Sequence, residues 1–260
     1  MRPAAWLIAG RETRSVVGSP GGLVVLGTFW LVAGILFVSL LFRFRDGWLQ
    51  VAQTGGLRTE TVGLHVNDWV VRPLLYNLGT VLILFVPLLT MRSFAEERRS
   101  GNLELLMSQP LQGADLVLGK FFGATGALFG GLAVLLGHLA ILGLVSRPDW
   151  PAALVGLLGL GLLGSFFVAV GILLSVLSRS PIEAAVLSLG ALLLVVVAPG
   201  GGGGGPGWLA SAREFLAVLP RFEDFTRGLL DLGHVFFFVG AIFVLLAAAL
   251  RGLDLVRWQG

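Results

Sequence analysis

The sequence predicts an all-α integral membrane protein, and three observations carry that reading. Hydrophobic residues fill 56% of the 260 positions and charged residues only 13%, about half the charge of an ordinary soluble domain. Mean hydropathy is +0.91. The apolar residues gather into six runs, each near the length of about 20 residues that a helix needs to cross a bilayer. The composition also excludes several classes. The absence of cysteine removes disulfide scaffolds, thiolate chemistry and cysteine metal sites. Such apolar content is incompatible with disorder. A net charge of +3 could suit nucleic acid, but the basic residues are scattered between apolar runs instead of clustering on one face. The expected surroundings are a lipid bilayer, with no nucleic acid, and residues 1–260 read as one membrane domain.

Each element has its own signal. Residues 1–17 place Trp6, Leu7, Ile8, Val16 and Val17 against Arg11, Glu12 and Arg14 at helical spacing, which predicts an amphipathic helix lying at the membrane surface. Gly18-Ser19-Pro20-Gly21-Gly22 breaks the chain before the first span, 23–42. That run is too long for a signal-peptide core and lacks a small-residue cleavage site, so it is expected to be retained. Polar residues 44–71 read as an outer loop. The second span covers 74–91 and the third 121–145, between Lys120 and Arg147. The fourth, 152–177, opens after Pro151 and closes before Arg179. Ser180-Pro181-Ile182-Glu183 has the form of a capping box, which restarts the chain as a fifth span, 182–198. The sixth covers 235–250. Before it, Phe222, Phe225, Leu229 and Leu232 form an apolar stripe, with Arg221, Glu223, Asp224, Arg227 and Asp231 facing elsewhere, so an outer amphipathic helix is predicted there. The six-glycine run Gly200–Gly205 reads as a flexible linker. Six spans put both termini on one side. With the termini inside, ten of the 18 basic residues are internal and eight external, a thin positive-inside margin.

Motif searches yield mostly look-alikes. Gly159-x-Gly161-x-x-Gly164 matches a dinucleotide fingerprint but lies mid-span with no preceding strand. It reads instead as a helix-packing face, as does Gly126-x-x-x-Gly130. Gly113 to Gly119-Lys120 approaches a phosphate-binding loop, but five residues intervene where the motif has four, and Phe121 replaces the metal-binding hydroxyl. His65, His138 and His234 lack metal-ligand spacing. The span interiors hold no carboxylate or guanidinium of the kind that ion-driven carriers use. No catalytic constellation is evident. A membrane enzyme would need His65 or His234 brought beside an acid such as Asp68 or Asp231.

The densest charge falls between spans two and three. Glu96, Glu97, Arg98 and Arg99 are followed by Gly101, then by an apolar ridge of Leu103, Leu105, Leu106 and Met107, and Pro110 ends the segment. Such a helix either docks in a partner's groove or is a charged face wetted by lipid headgroups. The run Phe94-Ala-Glu-Glu-Arg-Arg-Ser-Gly-Asn-Leu-Glu-Leu-Leu-Met-Ser-Gln-Pro110, with Gly119-Lys120-Phe121 after it, resembles the permeases of the type-2 family of ABC exporters. Phe222-Glu-Asp-Phe-Thr-Arg-Gly-Leu-Leu-Asp-Leu232 is similar to the gliding-motility and nitrous-oxide-reductase-maturation branch. The resemblance implies a cytoplasmic coupling helix on which an ATPase sits, with Glu96, Glu97, Arg98, Gly101, Leu103, Glu104, Leu106, Met107, Pro110 and Lys120 as its coupling residues. Asn102 departs from the family's usual Thr. It further implies two separate ATPase subunits that bind ATP and Mg, no cofactor or catalytic site on this chain, a second permease copy or sister chain, a bacterial inner-membrane location and cytoplasmic termini. The function so implied is ATP-driven export of an apolar or amphipathic substrate. The alternative is a non-transporting anchor that passes ATPase-driven force to an envelope or gliding apparatus.

Overall fold

The computed structural model describes residues 3–53, 65–101, 112–197 and 217–258. Every regular element among them is helical: α1 Pro3–Gly18, α2 Pro20–Gln53, α3 Arg72–Thr90, α4 Ala95–Arg99, α5 Gly113–Leu132, α6 Val134–Val145, α7 Trp150–Leu177, α8 Pro181–Val197, α9 Val218–Thr226 and α10 Leu232–Trp258. A π-helical turn, Asn67–Val71, leads into α3. Five segments are long and apolar enough to cross a membrane: Pro20–Gln53, Asn67–Arg99, Gly113–Val145, Trp150–Leu177 and Leu232–Leu255. The sixth expected span, α8, is apolar but has 17 described residues, a rise of roughly 26 Å against a hydrocarbon core of about 30 Å.

The centre of the bundle is α7. Two thirds of its apolar window is buried, against about a tenth for α10. It is lined with glycine and alanine, so its neighbours approach closely. Phe225 stands over Gly159, Phe129 over Gly161, and Leu128 with Leu82 over Gly164. These three glycines are holes for large side chains from other elements. Gly171 in the same way accepts the buried Thr90 of α3.

Several boundaries differ from the sequence reading. The expected break at 18–22 is a single corner: Ser19 Oγ accepts from Gly22 N at 3.0 Å, Pro20 takes the first helical position, and the helix starts there. A side chain at Gly22 would collide with the Val16 carbonyl, so the tight corner requires glycine. Residues 44–53, expected as loop, continue α2, because Gly47 alone is too weak a breaker. The third span begins at Gly113, not Phe121, and is split at Ala133, where Leu136 N bonds Ala133 O in a tighter turn. The box at Ser180 forms with a one-residue shift: Glu183 N donates to Ser180 Oγ (3.2 Å), while the Glu183 carboxylate accepts from Arg179 N (2.8 Å).

The predicted surface helix is present as α1, but one face of it is packed. Ala5 and Ala9 are buried against α5, and Thr13 Oγ1 donates to the Gly123 carbonyl at 3.0 Å. Trp6 and Leu7 remain exposed. The α5 face that receives α1 is Gly119, Gly123 and Gly126, at i, i+4 and i+7. Gly130, expected to pair with Gly126, meets open space, because the chain has already turned away into α2.

The outer helix is also shorter than its sequence stripe. Phe222 and Phe225 of α9 are fully buried in the bundle, whereas Leu229 and Leu232 are 57% and 64% exposed. The cause is Gly228 at φ +80°, which ends the helix in a Schellman turn: Gly228 N bonds Phe225 O and Leu229 N bonds Asp224 O. At that same end Asn67 and Asp149 exchange two hydrogen bonds of 2.9 Å, joining the turn before α3 to the turn before α7. Trp48, Trp69 and Trp150 are exposed near these boundaries, as interfacial tryptophans are. The opposite end carries α4, the α1–α2 corner, the start of α5 and the last turns of α10.

Candidate functional site

The α4 end holds the charges that the bundle itself has to satisfy. Lys120, the single lysine of the chain, is two turns into α5 with its side chain 3% exposed. Burying an ammonium is costly unless it is paired. It is paired with Glu97 of α4 at 2.7 Å and, more distantly, with Glu12 of α1 at 3.8 Å. Its Nζ also lies 5.1 Å from the ring centre of Phe94, a cation–π contact. One cation therefore joins three helices. Burial pushes the Glu12 carboxyl above its ordinary range, and the nearby Glu97 adds to this, while Lys120 and Arg11 oppose it.

The position of α4 is fixed by hydrogen bonds as well as charge. Phe94 N and Ala95 N both donate to Ser175 Oγ of α7, at 3.0 and 3.1 Å, and Ser175 is fully buried. Phe94 is buried beneath the helix. The five residues of α4 stop at Gly101, whose φ of +72° is the left-handed value that glycine adopts freely. Glu96 pairs across the exposed surface with Arg92 at 3.7 Å, and Arg98 and Arg99 continue the charged face of α4.

The structure thus brings Glu97 and Lys120 into contact and places Glu96, Arg98 and Gly101 on or beside the same short helix. The other coupling residues expected from sequence, Leu103, Glu104, Leu106, Met107 and Pro110, lie outside the described residues, as does the Gly200–Gly205 run. Gly113 to Lys120 forms the first turns of α5, so the phosphate-loop look-alike is a helix. Sequence reasoning missed Glu12 and Ser175. The signal for Glu12 was available: with Ala5 and Ala9 it lies at i, i+4 and i+7, a lone acid on a small-residue face.

A second charged cluster is at the opposite end. Glu223 accepts from Arg72 and from Arg227, both at 2.8 Å, the latter an i,i+4 pair on α9 and its C-cap. Asp231 accepts from Gly233 N at the start of α10. His234 stands 3.7 Å from Asp224 and 4.0 Å from Asp231, too far for hydrogen bonds, with the Phe225 ring beside it. The imidazole–acid neighbourhood that an enzyme would require is thus approached only loosely. Burial raises the Glu223 carboxyl, but the hydrogen bonds from Arg227 and Arg72 outweigh it and hold the group below its usual range. A lowered folded value means stability that is present above the ordinary glutamate pKa of about 4.3 and is lost as pH falls through the folded value. The thermal midpoint is therefore expected to fall on acidification from about pH 5 to pH 3 more steeply in the native chain than in Arg72→Met. Parallel slopes would remove this pair from the account.

These features define an all-helical, multi-pass membrane protein with a charged helix mounted on one end of its bundle. The family model described as "ABC-2 family transporter protein" matches residues 78–251, about two thirds of the chain. The match runs from α3 through α4 and the central α7 into α10. The chain belongs to the ABC-2 transporter family and is a membrane permease component of an ABC transporter. Comparison with curated proteins gives no match.

Proposed function

We propose that this permease exports an apolar or amphipathic substrate, driven by two separate ATPase subunits that bind ATP and Mg and dock on α4. The observation that carries the reading is the Lys120–Glu97–Glu12 cluster: it ties α4 to α5 and α1, so a load applied to α4 reaches two further helices through one buried cation. Ser175 supplies the link from α4 to α7. A path walled by uncharged spans suits an apolar or amphipathic cargo. On this reading the α4 end is cytoplasmic, α8 completes six crossings, and both termini face the cytoplasm of a bacterial inner membrane. A second permease copy or sister chain completes the assembly. The Phe222–Leu232 segment supports placing the chain in the gliding-motility and nitrous-oxide-reductase-maturation branch.

The test is Glu97→Arg in a reconstituted complex. Arginine at this position faces Lys120 with only Glu12 to offset two cations. The expected result is loss of ATP-coupled transport by at least about tenfold, the equivalent of 1.4 kcal/mol in coupling, while the chain still inserts. Normal ATPase docking and turnover would remove α4 as the coupling helix.

A further inference from the structure

His234, in the first turn of α10, has a carboxylate facing each of its ring nitrogens. Asp224 Oδ2 of α9 lies 3.7 Å from Nδ1, and Asp231 Oδ2, just before α10, lies 4.0 Å from Nε2. The His234 side chain is 22% exposed, and its Nδ1 is buried with no hydrogen-bond partner among the described residues. Asp231 is held in place, because its Oδ1 accepts from Gly233 N at 2.7 Å. The remaining charges nearby are engaged elsewhere or exposed. On α9, Glu223 is bound by Arg72 and Arg227. Arg221 donates to the Ala217 carbonyl and lies 4.1 Å from the centre of the Phe237 ring, so one cation stands a turn away and opposes a second. Asp68 and Asp149, in the turns before α3 and α7, are exposed. No ionisable residue lies between Trp150 and Leu177 of α7, and Asp115 and Lys120 of α5, with Asp254 of α10, belong to the α4 end.

This arrangement suits one protonation state of the ring. A neutral imidazole has one N–H and one bare nitrogen. Whichever tautomer forms, a lone pair faces one of the two carboxylates. An imidazolium has a donor on each nitrogen, and both acids attract its charge. Charge-assisted N–H···O bonds run at about 2.7–2.9 Å, so each gap needs to close by only about 1 Å. The two nitrogens face different acids instead of converging on one point, so the cluster fits a proton and not a chelated metal ion.

We propose that His234 is a proton-operated clasp: on protonation it bridges Asp224 and Asp231 and fastens the start of α10 to α9. Phe222 and Phe225 already anchor α9 in the bundle, and α10 is the least buried of the five long spans. The clasp therefore acts on the span with the least packing to hold it. On the orientation proposed above this end faces outward, so the clasp senses acidity outside; its closure rests neither on that orientation nor on ATPase docking. The test is hydrogen exchange of the full chain in nanodiscs at about pH 8 and about pH 5.5, a range that spans histidine titration, with rates corrected for the intrinsic pH dependence of amide exchange. Protection of amides 235–240 is expected to rise at least about fivefold at the lower pH, about 1 kcal/mol in opening free energy, while that of α7 stays unchanged. His234→Gln cannot take up the proton, and Asp224→Asn with Asp231→Asn leaves no acid to bridge. Each is expected to show equal protection of 235–240 at both pH values. The paired aspartate variant keeps the test valid if His234→Gln fails to fold. Equal protection at both pH values in the native chain, or a pH response that survives in either variant, would overturn the proposal.

Discussion

Lys120→Met destabilises the folded chain by about 3 kcal/mol, the low end of the range for removing one partner of a buried ion pair. The low end applies because Glu97 and Glu12 are each nearly a fifth exposed and keep some contact with water. The loss arises less from attraction forgone than from the two carboxylates left facing each other without a cation. The physical signature is therefore the rescue. Lys120→Met combined with Glu97→Gln and Glu12→Gln removes the stranded charge and recovers most of the stability, since an apolar or neutral replacement of a whole buried ion cluster is often close to neutral. Distances set the order within the cluster. In double-mutant cycles the coupling of Lys120 to Glu97, at 2.7 Å, exceeds its coupling to Glu12, at 3.8 Å. Denaturant unfolding in bicelles measures the single, double and triple variants. A Lys120→Met chain as stable as the parent, or a triple variant no better than the single, would show that the cluster bears no load.

The second large effect concerns the seat of α1. A Cβ at Gly123 would lie 2.5 Å from the Cβ of Glu12 and 3.0 Å from the Ala9 carbonyl; one at Gly119 would lie 2.7 Å from the Cβ of Ile8 and 3.1 Å from the Ala5 carbonyl. These neighbours are backbone and Cβ atoms, which cannot swing aside as a flexible side-chain tip can. Gly119→Leu with Gly123→Leu is therefore expected to lift α1 off α5. Each overpacked position costs about 1–3 kcal/mol until the helix undocks, and undocking sets the ceiling. Hydrogen exchange of Ala5–Thr13 is expected to rise sharply while that of α7 stays slow. Gly130→Leu is the matched control, since a side chain there meets open space. If it disturbs α1 as much as the double variant does, close packing is not what seats the helix. Undocking also removes Glu12 from Lys120, so the double variant weakens the charged cluster from the other side.

These two predictions mark what could be read from the chain and what could not. The membrane class was legible because hydropathy is a sum over many residues and tolerates local error. The spans were legible to within a few residues where a charge or Ser-Pro pair coincided with the end of the helix, as at Arg179 and Ser180-Pro181. Boundaries failed where helix continued past the apolar run: α2 goes on through Arg43, Arg45 and Asp46 to Gln53, and α5 begins seven residues before Lys120. Charge marks the edge of hydrocarbon, not the end of hydrogen bonding. The α9 stripe failed for the converse reason. Its periodicity runs on to Leu232, but one glycine in the left-handed region ends the helix after Thr226. Within the candidate site, Glu97 and Lys120 were both singled out, but their contact bridges 23 positions and Glu12 is farther still. No local pattern links such residues. Gly126 and Gly130 show the same limit: small residues at the right spacing name a face, and only the path of the neighbouring helix decides how far along that face the contact runs.

The claim at the centre of the account is that α4 is where an ATPase meets this permease. The chain contains no cysteine, so one introduced thiol reports one position without background. Arg99→Cys on α4 and Leu229→Cys at the opposite end of the bundle, both exposed, are compared in the complex purified with its ATPase, using a short thiol-reactive cross-linker with and without ATP. The account predicts a cross-link from position 99 to the ATPase, with a yield that changes on ATP binding, and none from position 229. Cross-linking from 229 and not from 99, or no ATPase adduct at 99 in an intact complex, would contradict it.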